Sequence, residues 1–236
     1  MDKELGELVE RLKPAFKDNL VSVVLYGSAA MDDSTDDSSD LNVLCALNTI
    51  SPQELARAEP VMRWWRDRKN PPPLLMTAEE VKTSTDCFPM EFQDMREHRR
   101  ILFGPDLIEN LVIDRSFYRA QVEHELRAKN IRLRQKAAEL LSDPRRLTRL
   151  LTDSISTFCV LGRHALVLSG NPSRWKKDEV VAALEEVLKK RLDGCNAILT
   201  IRANNKPAPA ATVLSILSEY LSEMDQLVRF VDALEK

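Results

Sequence analysis

The periodicity of the apolar residues changes once along this chain of 236 residues, near position 113. Before that point, β-branched apolar runs at 20–26 and 41–47 are typical of buried strands. After it, long helical periods follow at 115–142, 144–169, 177–191 and 209–234, with a less regular one at 194–203. A sheet is therefore expected only in the N-terminal half.

The fold class that this change predicts is an α/β domain joined to an all-α domain. Residues 1–113 are expected to form a mixed sheet with helices, and residues 114–236 a helical bundle. The chain contains only six glycines, which favours helix interiors over tight hairpins.

Two capping patterns place helices within the N-terminal half. Ser51 with Glu54, and Thr77 with Glu80, have the spacing of a capping box, so a helix is expected after each. Two further short strands are predicted, at 74–76 and 99–103.

The sequence lacks the patterns of a membrane protein and of a disulfide or zinc scaffold. No apolar run approaches the roughly 20 residues that span a bilayer, so a cytoplasmic protein without a membrane partner is expected. The cysteines are too widely spaced for a zinc site or a disulfide scaffold and are predicted to be buried, reduced thiols: Cys45, Cys87, Cys159 and Cys195.

Charge is distributed unevenly along the chain. The whole sequence has a net charge of -3, yet residues 115–149 contain ten Lys or Arg against four Asp or Glu. A long helix with one solvated basic face explains this pattern better than nucleic-acid binding does. A nucleic-acid partner is therefore not expected, although the segment can still attract smaller anions.

One group of residues has a chemical interpretation. The first strand ends at Gly27-Ser28, and Ser39-Asp40-Leu41-Asn42 opens the second strand after a polar loop. Glycine lets the backbone approach a phosphate closely, and the serine hydroxyl can donate to phosphate oxygens. Because side chains alternate along a strand, Asp40 and Asn42 are expected on one face, where oxygen ligands suit a divalent metal ion.

This arrangement resembles the nucleotidyltransferase superfamily, which has the polymerase-β-type fold. The resemblance continues at three segments, which are similar to aminoglycoside-type members with a helical C-terminal domain: Phe88-Pro-Met-Glu-Phe, Ile101-Leu-Phe-Gly-Pro-Asp and Arg163-His-Ala-Leu-Val-Leu-Ser-Gly. It implies that Gly27, Ser28, Ser39 and Asn42 bind a nucleoside triphosphate. It also implies that Asp40 is the catalytic acid that holds Mg²⁺, and that the helical domain helps to bind a small-molecule acceptor.

The sequence departs from the family pattern at the acidic positions. Asn42 stands where the family has its second acid, and the predicted strand 74–76, where a third acid is expected, is wholly apolar. Glu79, Glu80 and Glu91 are close in sequence, but none falls on a predicted strand. Phosphoryl transfer depends on positioning and charge stabilisation, so the loss of two carboxylates is expected to be severe.

Two functions are consistent with this combination. The favoured one is a nucleotidyltransferase-fold pseudoenzyme that binds Mg²⁺ weakly and acts as a nucleotide-binding or assembly module. The alternative is an active enzyme that moves a nucleoside monophosphate to a small hydroxylated acceptor such as an aminoglycoside. The sequence leaves open whether the protein is an enzyme, and whether it forms a homodimer.

Overall fold

The computed structural model describes residues 1–31, 41–204 and 209–234. The chain divides into two compact units, here called the N-terminal unit, Met1–Arg115, and the helical unit, Ser116–Lys236. The predicted fold class, a mixed α/β part followed by a helical part, is confirmed.

A four-stranded mixed sheet forms the centre of the N-terminal unit. Its strands are β1 (Leu20–Tyr26), β2 (Asn42–Leu47), β3 (Leu74–Thr77) and β4 (Arg99–Phe103). They lie in the order β3-β2-β1-β4, with β1 antiparallel to β2 and β4, and β2 parallel to β3. Each strand coincides within one residue with a strand predicted from the sequence.

Helices cover both faces of the sheet. They are α1 (Asp2–Phe16), α2 (Pro52–Arg66), α3 (Ala78–Thr83) and α4 (Pro89–Glu97). Alternate residues of β1 and β2 pack against α1 and α2 on one face, where Trp65 is fully buried. The other residues of these strands pack against α3 and α4, with Phe92 and Met95 in the core. Both faces of the sheet are apolar, as expected for strands whose sequences are continuous hydrophobic runs.

The two predicted capping boxes have different outcomes. At α3, the Thr77 hydroxyl accepts a hydrogen bond from the Glu80 amide, while the Glu80 carboxylate accepts one from the Thr77 amide. At α2, the capping box prediction is wrong, because the Ser51 hydroxyl donates to the Glu54 carboxylate instead of accepting from the backbone. Pro52 still occupies the first turn, where its missing N–H is tolerated.

A tight corner follows β4. Gly104 has φ 74°, a conformation that favours glycine, and it lies against the backbone of Val21 and Ser22. The buried Ser22 hydroxyl is within hydrogen-bond distance of the carbonyl oxygens of Phe103, at 3.1 Å, and Pro105, at 2.8 Å. Close backbone packing therefore fixes this end of the sheet.

All regular structure in the described part of the helical unit is α-helical. Its helices are α5 (Tyr118–Ala138), α6 (Pro144–Leu168), α7 (Lys177–Leu188), α8 (Asp193–Asn204) and α9 (Ala210–Ala233). Gly170 has a left-handed conformation just after α6, with φ 78°.

A buried carboxylate joins α9 to the start of α8. Glu223 is 4% exposed and accepts hydrogen bonds from the backbone amides of Gly194, at 2.7 Å, and Cys195, at 2.8 Å. The first amides of a helix have no partner within the helix, so this side chain satisfies two of them. Gly194 leaves room for the contact, because a Cβ there would lie 2.6 Å from the Tyr220 amide nitrogen.

The structure bears on two expectations, the lack of a membrane-spanning segment and the burial of the cysteines. Within 1–31, 41–204 and 209–234, no helix has both the length and the apolar character that crossing a membrane requires. All four cysteines are free thiols, and three of them are buried as predicted. Cys87 is exposed, so the prediction of burial is wrong there.

Candidate functional site

The Gly27-Ser28 turn lies directly at the end of β1. Gly27 has φ 83°, and residues Ser28–Ala30 form a single 3₁₀ turn. The Gly27 amide donates to the His98 carbonyl oxygen at 3.1 Å, which ties the turn to the start of β4. Glycine is favoured here because other residues rarely adopt a positive φ.

Asn42 lies beside this turn. It is the direct partner of Tyr26 in the β1–β2 ladder, so both side chains point to the face of the sheet that α4 covers. A Cβ built on Gly27 would lie 3.3 Å from Asn42 Nδ2, so the absence of a side chain at Gly27 allows this proximity. The structure therefore brings together three of the predicted nucleotide-binding residues, Gly27, Ser28 and Asn42.

The other two predicted site residues, Ser39 and Asp40, lie outside the described residues. Their contacts with phosphate and metal remain predictions. Leu41, which follows them, is buried in the core between the sheet and helices α1 and α2.

Two carboxylates of α4 act on the same end of the sheet. Burial, and then the negative charges of Glu91 and Asp94, raise the pKa of Tyr26 to about 12. Tyr26 packs in the core that contains Phe92 and Met95 of α4. The acids close to the Tyr26–Asn42 pair therefore come from a helix rather than from a strand.

Neither member of this acidic pair is predicted from the sequence. Glu91 lies on no predicted strand, and Asp94 has no feature in the sequence that assigns it to the site. The helix that carries both was not predicted. Its signals are Pro89 at the first position and an acid in the first turn. Met76 of β3 packs in the core on the same face of the sheet.

The described residues do not by themselves make a metal site. They contain no group of three or more His, Cys, Asp or Glu side chains arranged to hold a metal ion. The amide of Asn42 brings no negative charge, and a hard divalent cation prefers charged oxygen ligands.

Titration of Tyr26 tests the placement of the two acids. We expect Glu91→Gln combined with Asp94→Asn to lower the pKa of Tyr26, because the neighbouring negative charges are removed. The measurement is the tyrosine ¹³Cζ chemical shift as a function of pH. Glu79→Gln, at an exposed position of α3, is the control and should leave this pKa unchanged.

The raised pKa also predicts how stability depends on pH. Below pH 10.0, the ordinary value for tyrosine, its proton is bound in both the folded and the unfolded state. The contribution of Tyr26 to the free energy of unfolding should then be lost as the pH rises towards about 12, because only the unfolded state releases the proton.

The titration also has an outcome that would contradict the placement of the acids. An unchanged Tyr26 pKa in the Glu91→Gln, Asp94→Asn double variant would show that these two carboxylates are not close to Tyr26.

The family-like segment that begins at Arg163 lies inside the helical unit. Arg163 is buried, and its guanidinium carbon is 3.6 Å from the ring centroid of Trp175. His164 Nδ1 is 2.6 Å from the Tyr118 hydroxyl. Burial, and then the Arg163 charge, lower the pKa of His164 to about 3, so its ring is neutral at neutral pH. His164 is therefore a packed side chain inside the helical unit.

Comparison with known proteins supports the fold assignment. No known family profile matches the chain, and no curated protein matches it. Among solved structures, it is similar to spectinomycin adenyltransferase AAD(9) from Enterococcus faecialis, whose structure contains ATP and spectinomycin. The TM-score is 0.62 at 16% sequence identity, and the match covers 98% of this chain and 99% of that chain. The predicted aminoglycoside-type nucleotidyltransferase resemblance is confirmed at the level of the fold.

Proposed function

We propose that this protein binds a nucleoside triphosphate at the Gly27-Ser28 turn and transfers nucleotide slowly or not at all. The observation that carries the proposal is the turn itself, in which a positive-φ glycine lies beside Asn42 at the end of β1. Backbone amides and a serine hydroxyl at such a turn suit phosphate oxygens. The protein then acts as a nucleotide-binding or assembly module.

Charge is the reason for expecting weak transfer. Asp40 and Asn42 carry one formal negative charge between them, where the resembled family has two acids. Divalent cations are held chiefly by charged oxygen ligands, so Mg²⁺ is expected to bind weakly. The developing charge of a transferring phosphoryl group then lacks much of its stabilisation.

The active-enzyme alternative is supported by the placement of Glu91 and Asp94. Both carboxylates are close enough to Tyr26 to raise its pKa, and Tyr26 pairs with Asn42. An acid at this end of the sheet can receive the proton of an attacking hydroxyl if it reaches the acceptor. The fold neighbour contains ATP and spectinomycin, so a small hydroxylated acceptor is the acceptor class to test.

Nucleotide titration and a transfer assay separate these two functions. Isothermal titration with ATP, GTP, CTP and UTP, with and without Mg²⁺ or Mn²⁺, measures binding before any acceptor is known. Pyrophosphate release over a panel of aminoglycosides and other polyols then measures transfer. Binding without release supports the module, binding with robust release supports the enzyme, and no binding of any nucleotide contradicts both.

Replacing Asn42 with aspartate tests the role assigned to charge. We expect Asn42→Asp to strengthen Mg²⁺ binding about tenfold, because a second carboxylate attracts a hard cation. Turnover should increase less, because a group that activates the attacking hydroxyl is required as well. Isothermal titration with Mg²⁺ and Mn²⁺, paired with the pyrophosphate assay, measures both quantities.

The matched control is Asn110→Asp, which adds the same charge at an exposed position of the same unit. Equal gains in metal affinity for the two variants would show that the effect is one of net charge alone. Robust turnover of the unmodified protein that is abolished by Asp40→Ala would favour the active enzyme.

A further inference from the structure

A polar groove lies between α5 and α9, entirely within the helical unit. Its volume is about 460 Å³, within the range of small-ligand sites. Six polar side chains line it: Arg134, Ser218, Ser222, Asp225, Gln226 and Arg229. Two guanidinium groups therefore share this space with a single carboxylate.

Hydrogen bonds from α5 occupy that carboxylate. Asp225 Oδ1 accepts from Asn130 Nδ2 and from Arg134 Nη2, each at 2.6 Å. Asn130 is buried, so the donor that it provides is fixed in place. These bonds hold the Arg134 guanidinium at the edge of the groove. They also use an oxygen that would otherwise attract the second arginine.

The second arginine, Arg229, has no such partner among residues 1–31, 41–204 and 209–234. Arg229 lies four residues after Asp225 and three before Asp232 on α9, the spacings at which helical ion pairs form. Asp225 is 2.6 Å from Arg134, and Asp232 is 3.5 Å from Arg127. In the part of the chain that the structure describes, the exposed Arg229 makes neither an ion pair nor a hydrogen bond.

We propose that this groove binds a compact, multiply charged oxyanion, specifically a phosphate group. Planar guanidinium groups match phosphate oxygens through paired hydrogen bonds, and Arg134 and Arg229 can approach such a group from different helices. Ser218 and Ser222 add hydroxyl donors, and Gln226 adds an amide. The groove is formed by residues of the helical unit alone, whereas the Gly27-Ser28 turn belongs to the N-terminal unit.

Arginine side-chain NMR tests the proposal on the full-length protein. The Nε–Hε signals of Arg134 and Arg229, assigned with glutamine variants, are followed during titration with inorganic phosphate and with pyrophosphate at low ionic strength. We expect both signals to shift saturably with one dissociation constant, and pyrophosphate to bind more tightly. Added NaCl should weaken binding, because the groove is open to screening ions.

Arg229→Gln is the decisive variant, because it removes no hydrogen bond or ion pair among the described residues and should fold normally. Loss of one charge-assisted contact should weaken pyrophosphate binding about tenfold, as read from the Arg134 signal. Arg132→Gln is the matched control, at an exposed position of α5, and should leave the affinity unchanged. Shifts that do not saturate, or equal affinities for Arg229→Gln and Arg132→Gln, would overturn the proposal.

Discussion

Replacing Gly104 with alanine is expected to lower the free energy of unfolding of the N-terminal unit by about 3 kcal/mol. The residue has φ 74°, and an added Cβ would overlap the Val21 carbonyl oxygen and lie 3.1 Å from the Ser22 Cα. Both neighbours are backbone atoms of β1, so they cannot rotate away as a flexible side chain would. Chemical denaturation followed by tryptophan fluorescence measures the change, because Trp64 and Trp65 lie in this unit and Trp65 is fully buried.

Two other glycines separate the causes of this effect. Gly170→Ala imposes a similar positive φ, at 78°, with no atom within 4 Å of the added Cβ, so only the strain of about 1 kcal/mol is expected. Gly6→Ala lies within α1 with open space around it and should stabilise the same unit as Gly104 by up to about 1 kcal/mol. A Gly104→Ala variant no less stable than Gly170→Ala would show that the corner relaxes freely.

Truncation of Glu223 is expected to destabilise the helical unit by a similar amount. Glu223→Ala leaves the amides of Gly194 and Cys195 buried without their acceptor, at about 1–3 kcal/mol for each unsatisfied group. For the two amides together, this predicts a loss of about 2–6 kcal/mol. Thermal unfolding followed by circular dichroism at the helical band measures it.

Two controls show whether the carboxylate itself is needed. Glu219→Ala, at an exposed position one turn earlier on α9, should change stability by less than about 0.5 kcal/mol. Glu223→Gln keeps the shape but offers one oxygen where two are used, so its loss should be intermediate. Equal stability of Glu223→Ala and Glu219→Ala would mean that other acceptors, or water, satisfy the α8 amides.

The sequence predicted the sheet well because the strands are buried on both faces. Continuous β-branched and apolar runs such as Leu20–Tyr26 leave few alternatives, and the polar segments between them mark where they end. The long helices of the helical unit are equally predictable, because their apolar residues keep a helical period for several turns. Side-chain hydrogen bonds that depend on the detailed geometry are predicted less well. Ser51 has the spacing of a capping box, but its hydroxyl donates to the Glu54 carboxylate.

The candidate site was predictable only where adjacent residues form it. Gly27 and Ser28 are neighbours in sequence, and Asn42 follows from alternation along one strand. Glu91 and Asp94 belong to a nine-residue helix whose apolar side chains have no long period, so only Pro89 and the acid in the first turn mark it in the sequence. Their closeness to Tyr26 arises from packing of α4 on the sheet, which connects residues far apart in the chain.

The strand order has a consequence for self-association. It leaves β3 and β4 at the two edges of the sheet, where unpaired backbone groups can template a strand from another molecule. β3 has only four residues and follows Pro71, Pro72 and Pro73 directly, while β4 is followed by Gly104 and Pro105. Prolines cannot donate backbone hydrogen bonds, so they limit how far an incoming strand can extend its ladder. This arrangement guards the N-terminal unit against growth into edge-to-edge aggregates.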